Sequence, residues 1–307
     1  MNEAKKIWLD GELVDWSAAQ VHVTSFGLHY GIGFFEGIRS YHTEDGPTIF
    51  RLRDHLRRLV RSAATYLVPL PYDVPSLAAA CSSVIIDNGL TDCYLRPIVF
   101  LGDGESPLAA PYRVAVIATE HGPLIGPPKT GGVHAKVASF HRMSPNSIPP
   151  AAKATGQYLN SMLAQTEALA SGYDEALLLN AAGYVTDGWA YNVFAVRDGA
   201  LVTPPVSAGA LPGIVRDTVR VLAADAGILT HEENLTRTDL YGADECFLTG
   251  TAAGILPVLS VDRRPVGGGG TAGPLTMQLS AAYKDVTRGR SGAHPEWRFP
   301  VAVPAAT

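Results

Sequence analysis

The chain is poor in the residues that mark several classes of protein. Its 307 residues include only three cysteines, Cys81, Cys93 and Cys246, an odd number at wide spacing. That excludes a disulfide framework and a cysteine-held metal, and the thiols read as small buried apolar residues in a reduced, intracellular setting. Charge is scarce too: charged residues make up 17% and the net charge is −5. This gives no electrostatic reason to expect nucleic acid or an anionic membrane as partner. No apolar run approaches the roughly 18 residues of a membrane span, and the opening MNEAKKIWLDGEL lacks the apolar stretch of a secretory signal. A soluble, cytoplasmic protein is expected. Lysine is scarcer still, at six residues (Lys5, Lys6, Lys129, Lys136, Lys153 and Lys284).

What is present suits a well-packed enzyme. Apolar residues make up 47%, and the length favours two domains over one. IWLDGELV reads as a hairpin around Asp10-Gly11, and a second hairpin runs from IRSY to TIF. DHLRRLVRSAATYL puts Leu56, Leu59, Val60, Ala63 and Leu67 on one helical stripe, with Asp54 as N-cap. Residues 75–88 make the second helix of this half, and YLRPIVFL and RVAVIAT are β-rich. HGPLIGPPKTGG gathers glycines and prolines and is the expected interdomain linker, over 122–131. Beyond it, VHAKVASF, EALLLN, GYVTD, NVFAVRDGALVTPP and ECFLTGTAAG read as strands. YLNSMLAQTEALASG is a helix stopped by Gly172, LPGIVRDTVRVLAADAG runs from Pro212 to Gly227, and a last helix covers about 274–287. The tail, GRSGAHPEWRFPVAVPAAT, is expected to lack regular structure. The class is mixed α/β (α+β) and not doubly wound, because hairpins outnumber β-helix-β units.

PPAAKATGQYLNSML places Lys153 among small residues just before a helix. A lysine amine, with an ordinary pKa of about 10.4, is a nucleophile only when deprotonated, which apolar surroundings or a neighbouring cation favour. Taken alone, Lys153 reads as a structural or surface lysine. In LPGIVRD, however, Gly213, Ile214 and Val215 open a helix whose free N–H groups favour a phosphate. In FLTGTAAG, Thr249-Gly250-Thr251-Ala252 offers further N–H groups and a hydroxyl. Two anion-cradling loops and one lysine point to a phosphorylated, carbonyl-bearing cofactor, pyridoxal 5'-phosphate.

HYGIGFFEGIRSY, FRLRDHLRRL, YLRP, KATGQYLNSMLAQTEA, LPGIVRD and TGTAA, after the opening hairpin, follow an order that resembles the branched-chain amino acid aminotransferases. These belong to the class IV (fold type IV) pyridoxal-phosphate enzymes, and the resemblance covers nearly the whole chain. It implies a two-domain fold like that of D-amino acid aminotransferase, with the cofactor between a small N-terminal domain, 1–121, and a larger β-rich domain, 132–290, ahead of a tail, 291–307. It implies that Lys153 is the covalent anchor and proton carrier, that Tyr158 donates to the cofactor's ring oxygen, and that Arg58 holds the phosphate. Ile214 and Val215 would give backbone N–H groups and Thr251 a hydroxyl; the family often has Thr where Val215 stands. Without the resemblance, Arg58 reads as a solvated arginine on the polar side of its helix, and Tyr158 as an interfacial tyrosine.

For the substrate, the resemblance points to Tyr30, Phe35, Gly37, Arg39, Tyr94, Arg96, Thr251 and Ala252. Apolar and aromatic walls suit an aliphatic side chain, and Arg96 would meet the distal carboxylate of glutamate or 2-oxoglutarate. Ile98 stands where D-amino acid aminotransferases carry the His of an Arg-x-His pattern, which argues against that activity. The Tyr/Arg combination likewise argues against aminodeoxychorismate lyase. The departure is GYVTDGWAYNVF: Asp187 stands where the family has the glutamate that pairs with the pyridine nitrogen. Trp189, Ala190 and Tyr191 replace smaller or acidic residues, either as core or dimer packing or as bulk that reshapes the pocket. The expected activity is ping-pong transfer of an amino group between a branched-chain or related hydrophobic L-amino acid and 2-oxoglutarate, by a homodimer or higher homo-oligomer. The alternatives are a specialised aminotransferase for a bulkier or β-amino substrate, and an inactive cofactor-binding interaction protein.

Overall fold

The computed structural model describes residues 4–120 and 131–301. The chain divides into two units: Met1–Gly126 with Ala152–Gly156 and Asp285–Thr307, and Pro127–Ala151 with Gln157–Lys284. Neither unit is one continuous stretch, because five residues around Lys153 and the last residues of the chain group with the N-terminal part. Of the expected linker at 122–131, all but Gly131 lies outside the described residues.

The first unit opens with β1 (Lys6–Leu9) and β2 (Glu12–Asp15). Asp10 at φ 48° and Gly11 at φ 106° supply the left-handed pair that a two-residue hairpin needs. A short helix follows, α1 (Phe26–Tyr30), which buries no side chain and so left no apolar stripe to read. Next come β3 (Gly33–Phe35), β4 (Ile38–Thr43), β5 (Gly46–Phe50), α2 (Leu52–Thr65), α3 (Val74–Asp87), β6 (Cys93–Leu101) and β7 (Tyr112–Thr119). The core joins Leu56, Leu59 and Ala63 of α2 to Leu77, Cys81 and Val84 of α3 and to Ile38, Leu95, Val99 and Val116 of the sheet.

Two details of α2 correct the expectation. Its N-cap is Arg51, in the left-handed conformation, and Asp54 lies inside the first turn, where it accepts from Arg51 Nε. Leu67 lies past the helix end and is exposed, so the buried stripe stops at Ala63.

The second unit contains β8 (Val133–Val137), α4 (Tyr158–Ala170), β9 (Glu175–Leu179), β10 (Val185–Gly188), β11 (Asn192–Arg197), β12 (Ala200–Thr203), α5 (Ile214–Asp225), β13 (Thr230–Glu232), α6 (Arg237–Tyr241), β14 (Glu245–Gly250), β15 (Gly254–Val261) and β16 (Arg264–Pro265). Their sheet runs β10-β9-β8-β15-β14-β11-β12-β13, with β16 on β15. Most pairs are antiparallel, while β8 pairs in parallel with β9 and β15, and β12 with β13. Gly172 (φ 77°) ends α4 and Gly227 (φ 71°) follows α5, the positions where only glycine adopts a left-handed backbone at little cost.

After α7 (Pro274–Thr287), the tail returns to the first unit's sheet: β17 (Arg298–Pro300) pairs antiparallel with β5, giving the order β17-β5-β4-β6-β7-β1-β2, with β3 on β6. The tail was expected to have no regular structure. Arg298, Phe299 and Pro300 nevertheless form an edge strand, where proline's missing donor is tolerated.

Candidate active site

In the first unit, residues 152–156 lie against β3. Phe35 N donates to Lys153 O (3.1 Å), Thr155 N to Gly33 O (2.8 Å), and Thr155 Oγ1 to Gly31 O (2.7 Å). Lys153 N donates to Ser62 Oγ of α2 (2.9 Å). The lysine is therefore held by its own backbone, and its Nζ lies 5.0 Å from the centroid of the Phe35 ring. The Arg96 guanidinium carbon lies 4.6 Å from the same ring.

Strand register gathers four of the expected substrate residues, Phe35, Arg39, Tyr94 and Arg96. Arg39 stands opposite Tyr94, and Phe35 opposite Ile98. Directly paired residues project to one face, and alternation along β6 adds Arg96 to Tyr94 and Ile98. The opposite face carries Ile38 and Leu95, both fully buried. Arg96 Nη2 donates to Tyr94 Oη (3.4 Å), and its Nε is buried with no hydrogen-bond partner among the described residues. Gly37 is required by Tyr94, since a Cβ there would meet Tyr94 Oη at 1.8 Å. Tyr30, at the end of α1, is exposed, and its ring contacts are with Phe26 and His29.

Arg58 does not lie on a solvated face. It is 5% exposed, and its Nε and Nη2 donate to Glu36 Oε1 and Oε2, both at 2.7 Å. His55 Nδ1 meets Glu36 Oε2 at 2.7 Å. Glu36 and His55 were not anticipated from the sequence. The signal available was an acidic residue inside FFEGI, since glutamate is rarely fully buried unless paired.

In the second unit, Arg142, Tyr158, Ser161, Asp187, Trp189, Ala190, Tyr191, Asn192 and Leu211 are among the residues lining one pocket. Arg142 Nε (3.0 Å) and Nη2 (2.7 Å) donate to Asp187 Oδ1, as does Thr186 Oγ1 (2.7 Å), while Arg142 Nη1 donates to Ser161 Oγ (2.8 Å). Burial pushes the Asp187 carboxyl up, and Arg142 and Thr186 pull it only partly back. Glu175, on the neighbouring strand, accepts the Trp189 N–H at 3.1 Å and is pushed up to about 8 by burial. Arg142 and Glu175 were missed; nothing in HRMSPN or YDEALLLN distinguishes them from a loop arginine and a strand-end glutamate. Trp189 packs on the small-residue cluster of Ala164, Ala168 and Ala176, and Tyr191 on the sheet core. Both also line the pocket, so packing and pocket shape are not exclusive readings.

The phosphate-binding candidates converge on Asn192. It stands opposite Thr249 in the β11–β14 pairing, and its Nδ2 donates to Leu211 O at 2.9 Å. A Cβ on Gly213 would lie 1.9 Å from Asn192 Oδ1, so only glycine fits at the α5 N-cap. No side chain among the described residues caps α5, which leaves the first-turn N–H groups, Ile214 and Val215 among them, with no side-chain acceptor at the cap. Thr251 and Ala252 follow β14 in the turn to β15. Thr249 Oγ1 is buried with no hydrogen-bond partner among the described residues. Within this unit, the uncapped helix start and the orphaned hydroxyl fit a phosphate, and the half-committed carboxylate fits a protonated pyridine nitrogen.

Comparison with known proteins agrees. The family described as amino-transferase class IV matches residues 33–261. The branched-chain-amino-acid aminotransferase of Salmonella typhimurium is 44% identical over 304 residues, 97% of this chain and 98% of that protein. The crystal structure of the Escherichia coli branched-chain amino acid aminotransferase matches with a TM-score of 0.94 at 42% identity, covering 98% of this chain and 100% of that one. The T.th. branched-chain amino acid aminotransferase with pyridoxamine 5'-phosphate matches with a TM-score of 0.93 at 40% identity, over 98% and 100% of the chains.

Proposed function

The chain belongs to the class IV aminotransferases, and from that premise we infer that it converts a branched-chain or related hydrophobic L-amino acid and 2-oxoglutarate into the matching 2-oxo acid and glutamate, in a ping-pong cycle. The observation that carries the substrate class is the face shared by Phe35, Tyr94 and Arg96. Aromatic walls accept an aliphatic side chain, and one guanidinium meets the distal carboxylate of glutamate, so both halves of the cycle use one site.

Pyridoxal phosphate, when bound, supplies the electron sink for the carbanion formed at the substrate α-carbon. Lys153 would hold it covalently, and its amine, set free when the substrate amine takes that place, would carry the proton released from the substrate α-carbon. Asp187 supplies the negative charge for the ring nitrogen, and Arg142 fixes that carboxylate's rotamer. Tyr158 donates to the ring oxygen. Arg58, the first-turn N–H groups of Ile214 and Val215, and the Thr251 hydroxyl hold the phosphate. Tyr30, Arg39 and Ala252 complete the substrate contacts.

We also propose a homodimer or larger assembly in the cytoplasm. Leu159, Met162 and Leu163, at i, i+3 and i+4 on α4, are exposed apolar residues that suit a subunit contact, and three unbridged cysteines suit a reducing compartment. Sedimentation of the holoenzyme as a monomer would remove the first of these.

A second reading has an observation behind it. Trp189 and Tyr191 add bulk to the pocket wall, which favours a specialised aminotransferase for a bulkier or β-amino donor. A donor panel with 2-oxoglutarate, read as 2-oxo acid release, separates the two. Preference for leucine, isoleucine and valine supports the first reading, and a larger or β-amino donor the second. No release from any donor refutes both.

A further inference from the structure

Glu36 has no exposed surface, yet it is a carboxylate in the turn between β3 and β4. Its backbone N–H donates to Pro97 O (2.9 Å). Its two oxygens take three hydrogen bonds of 2.7 Å, from Arg58 Nε, Arg58 Nη2 and His55 Nδ1. Although burial opposes the charge, Arg58 and His55 hold its carboxyl far below the ordinary carboxylate range. His55 is pushed down, chiefly by burial, and so stays neutral, its Nδ1–H donating to Glu36 Oε2. The cluster is one cation, one anion and one neutral donor.

The helix explains how these groups meet. His55, Arg58 and Ser62 lie at i, i+3 and i+7 of α2, on one face, and all three are buried. The first two grip Glu36, and the third accepts the backbone N–H of Lys153. The residue before Glu36, Phe35, binds the Lys153 carbonyl and lies beneath its amine. One turn of chain thus ties the proposed phosphate arginine and the proposed anchor lysine to a single rigid seat.

We propose that Glu36 is a positioning residue, fixing the guanidinium plane of Arg58 through its two-pronged pair so that this cation is aimed at the cofactor's phosphate. The inference rests on the assignment of Arg58 to the phosphate. A carboxylate against a phosphate-binding cation would otherwise weaken anion binding by partly cancelling its charge. The gain lies in geometry, because a guanidinium held at Nε and Nη2 cannot turn about its own stem. It also lies in the cofactor-free protein, where an unpaired buried arginine is strongly unfavourable.

The test compares the affinity of the resolved apoprotein for pyridoxal 5'-phosphate and for pyridoxal, which lacks the phosphate. In Glu36→Gln the amide nitrogen cannot accept from Arg58 or His55. Affinity for pyridoxal phosphate should fall roughly ten- to a hundredfold, the range for a lost hydrogen bond to a charged group, while affinity for pyridoxal stays unchanged. Glu36→Asp keeps the buried charge, and with it the fold, but is too short to hold both nitrogens; it should show a smaller loss of the same phosphate-dependent kind. An equal loss for both ligands marks a purely structural role and overturns the proposal. Unchanged or tighter binding of pyridoxal phosphate in both variants marks Glu36 as a mere neutralising charge and overturns it too. Wild-type apoprotein that takes up neither ligand overturns the proposed activity itself, and this inference with it.

Discussion

Among the described residues, Asp187 receives its side-chain hydrogen bonds on one oxygen: Arg142 Nε, Arg142 Nη2 and Thr186 Oγ1 all fall on Oδ1. The carboxylate also lines the pocket. Clamped on one oxygen, it suits a single cationic ligand atom on the other. Asp187→Asn should therefore cost kcat on the order of 10²- to 10³-fold and cofactor affinity far less, because the change removes the charge and little of the shape. Steady-state kinetics beside a cofactor titration measure this; wild-type turnover in the variant would refute the role.

Lys153 is positioned by its backbone, whose N–H donates to Ser62 Oγ and whose carbonyl accepts from Phe35 N, and a substitution of the side chain keeps both bonds. Lys153→Ala should accordingly leave the melting temperature of the apoprotein within about 2 °C of wild type. It should abolish the visible absorption band of the bound cofactor and all release of 2-oxo acid. A variant that keeps the band and turns over would sink the assignment of Lys153.

Family, fold type and aminotransferase chemistry were legible in the sequence because motif order survives where single motifs are ambiguous. Helix starts with Pro-Gly are common, and lone lysines are more so. Lys153, LPGIVRD and TGTAA together are not. What could not be read was environment. Arg58 sits among Arg53, Arg57 and Arg61, which suggests a solvated face, and only the tertiary position of Glu36 makes that face an interior one. Arg142 is invisible for the same reason, since its partner lies 45 residues on and loop residues show no periodicity. β17 was missed because three residues with a proline carry no strand pattern until an edge is available to pair with.

Gly37 and Tyr94 give a steric prediction. A Cβ at position 37 would approach Tyr94 Oη to 1.8 Å and Cζ to 2.7 Å, and the ring would have to move. Tyr94 also accepts from Arg96. Gly37→Ala should lower kcat/KM for 2-oxoglutarate by roughly tenfold or more, the usual cost of a misplaced binding group. Arg96→Lys should weaken 2-oxoglutarate more than leucine, because leucine has no distal carboxylate. Equal losses for both substrates in Arg96→Lys would remove the carboxylate-binding role.

The three cysteines are all buried and unbridged. Burial pushes Cys81 up, and Cys93 and Cys246 up to about 12, so the reactive thiolate is scarce at neutral pH. A thiol reagent should label none of them in the native protein and all three after denaturation. Rapid native labelling at any of these sites would contradict their burial.

Glu175 makes stability depend on pH in a direction opposite to that of most carboxylates. Its carboxyl is raised from 4.5 to about 8 by burial, so the folded protein holds a proton there that the unfolded chain releases. Stability is then fully present below about 4.5 and falls as pH rises towards about 8. Burial of Asp187 adds a contribution of the same sign. Glu175→Gln keeps a carbonyl oxygen to accept the Trp189 N–H and cannot ionise. Thermal melts across that window should show wild type losing ground to the variant as pH rises, with the gap widening by several degrees and levelling off above it. A gap that does not change with pH would show that Glu175 has the same protonation in the folded and unfolded chain.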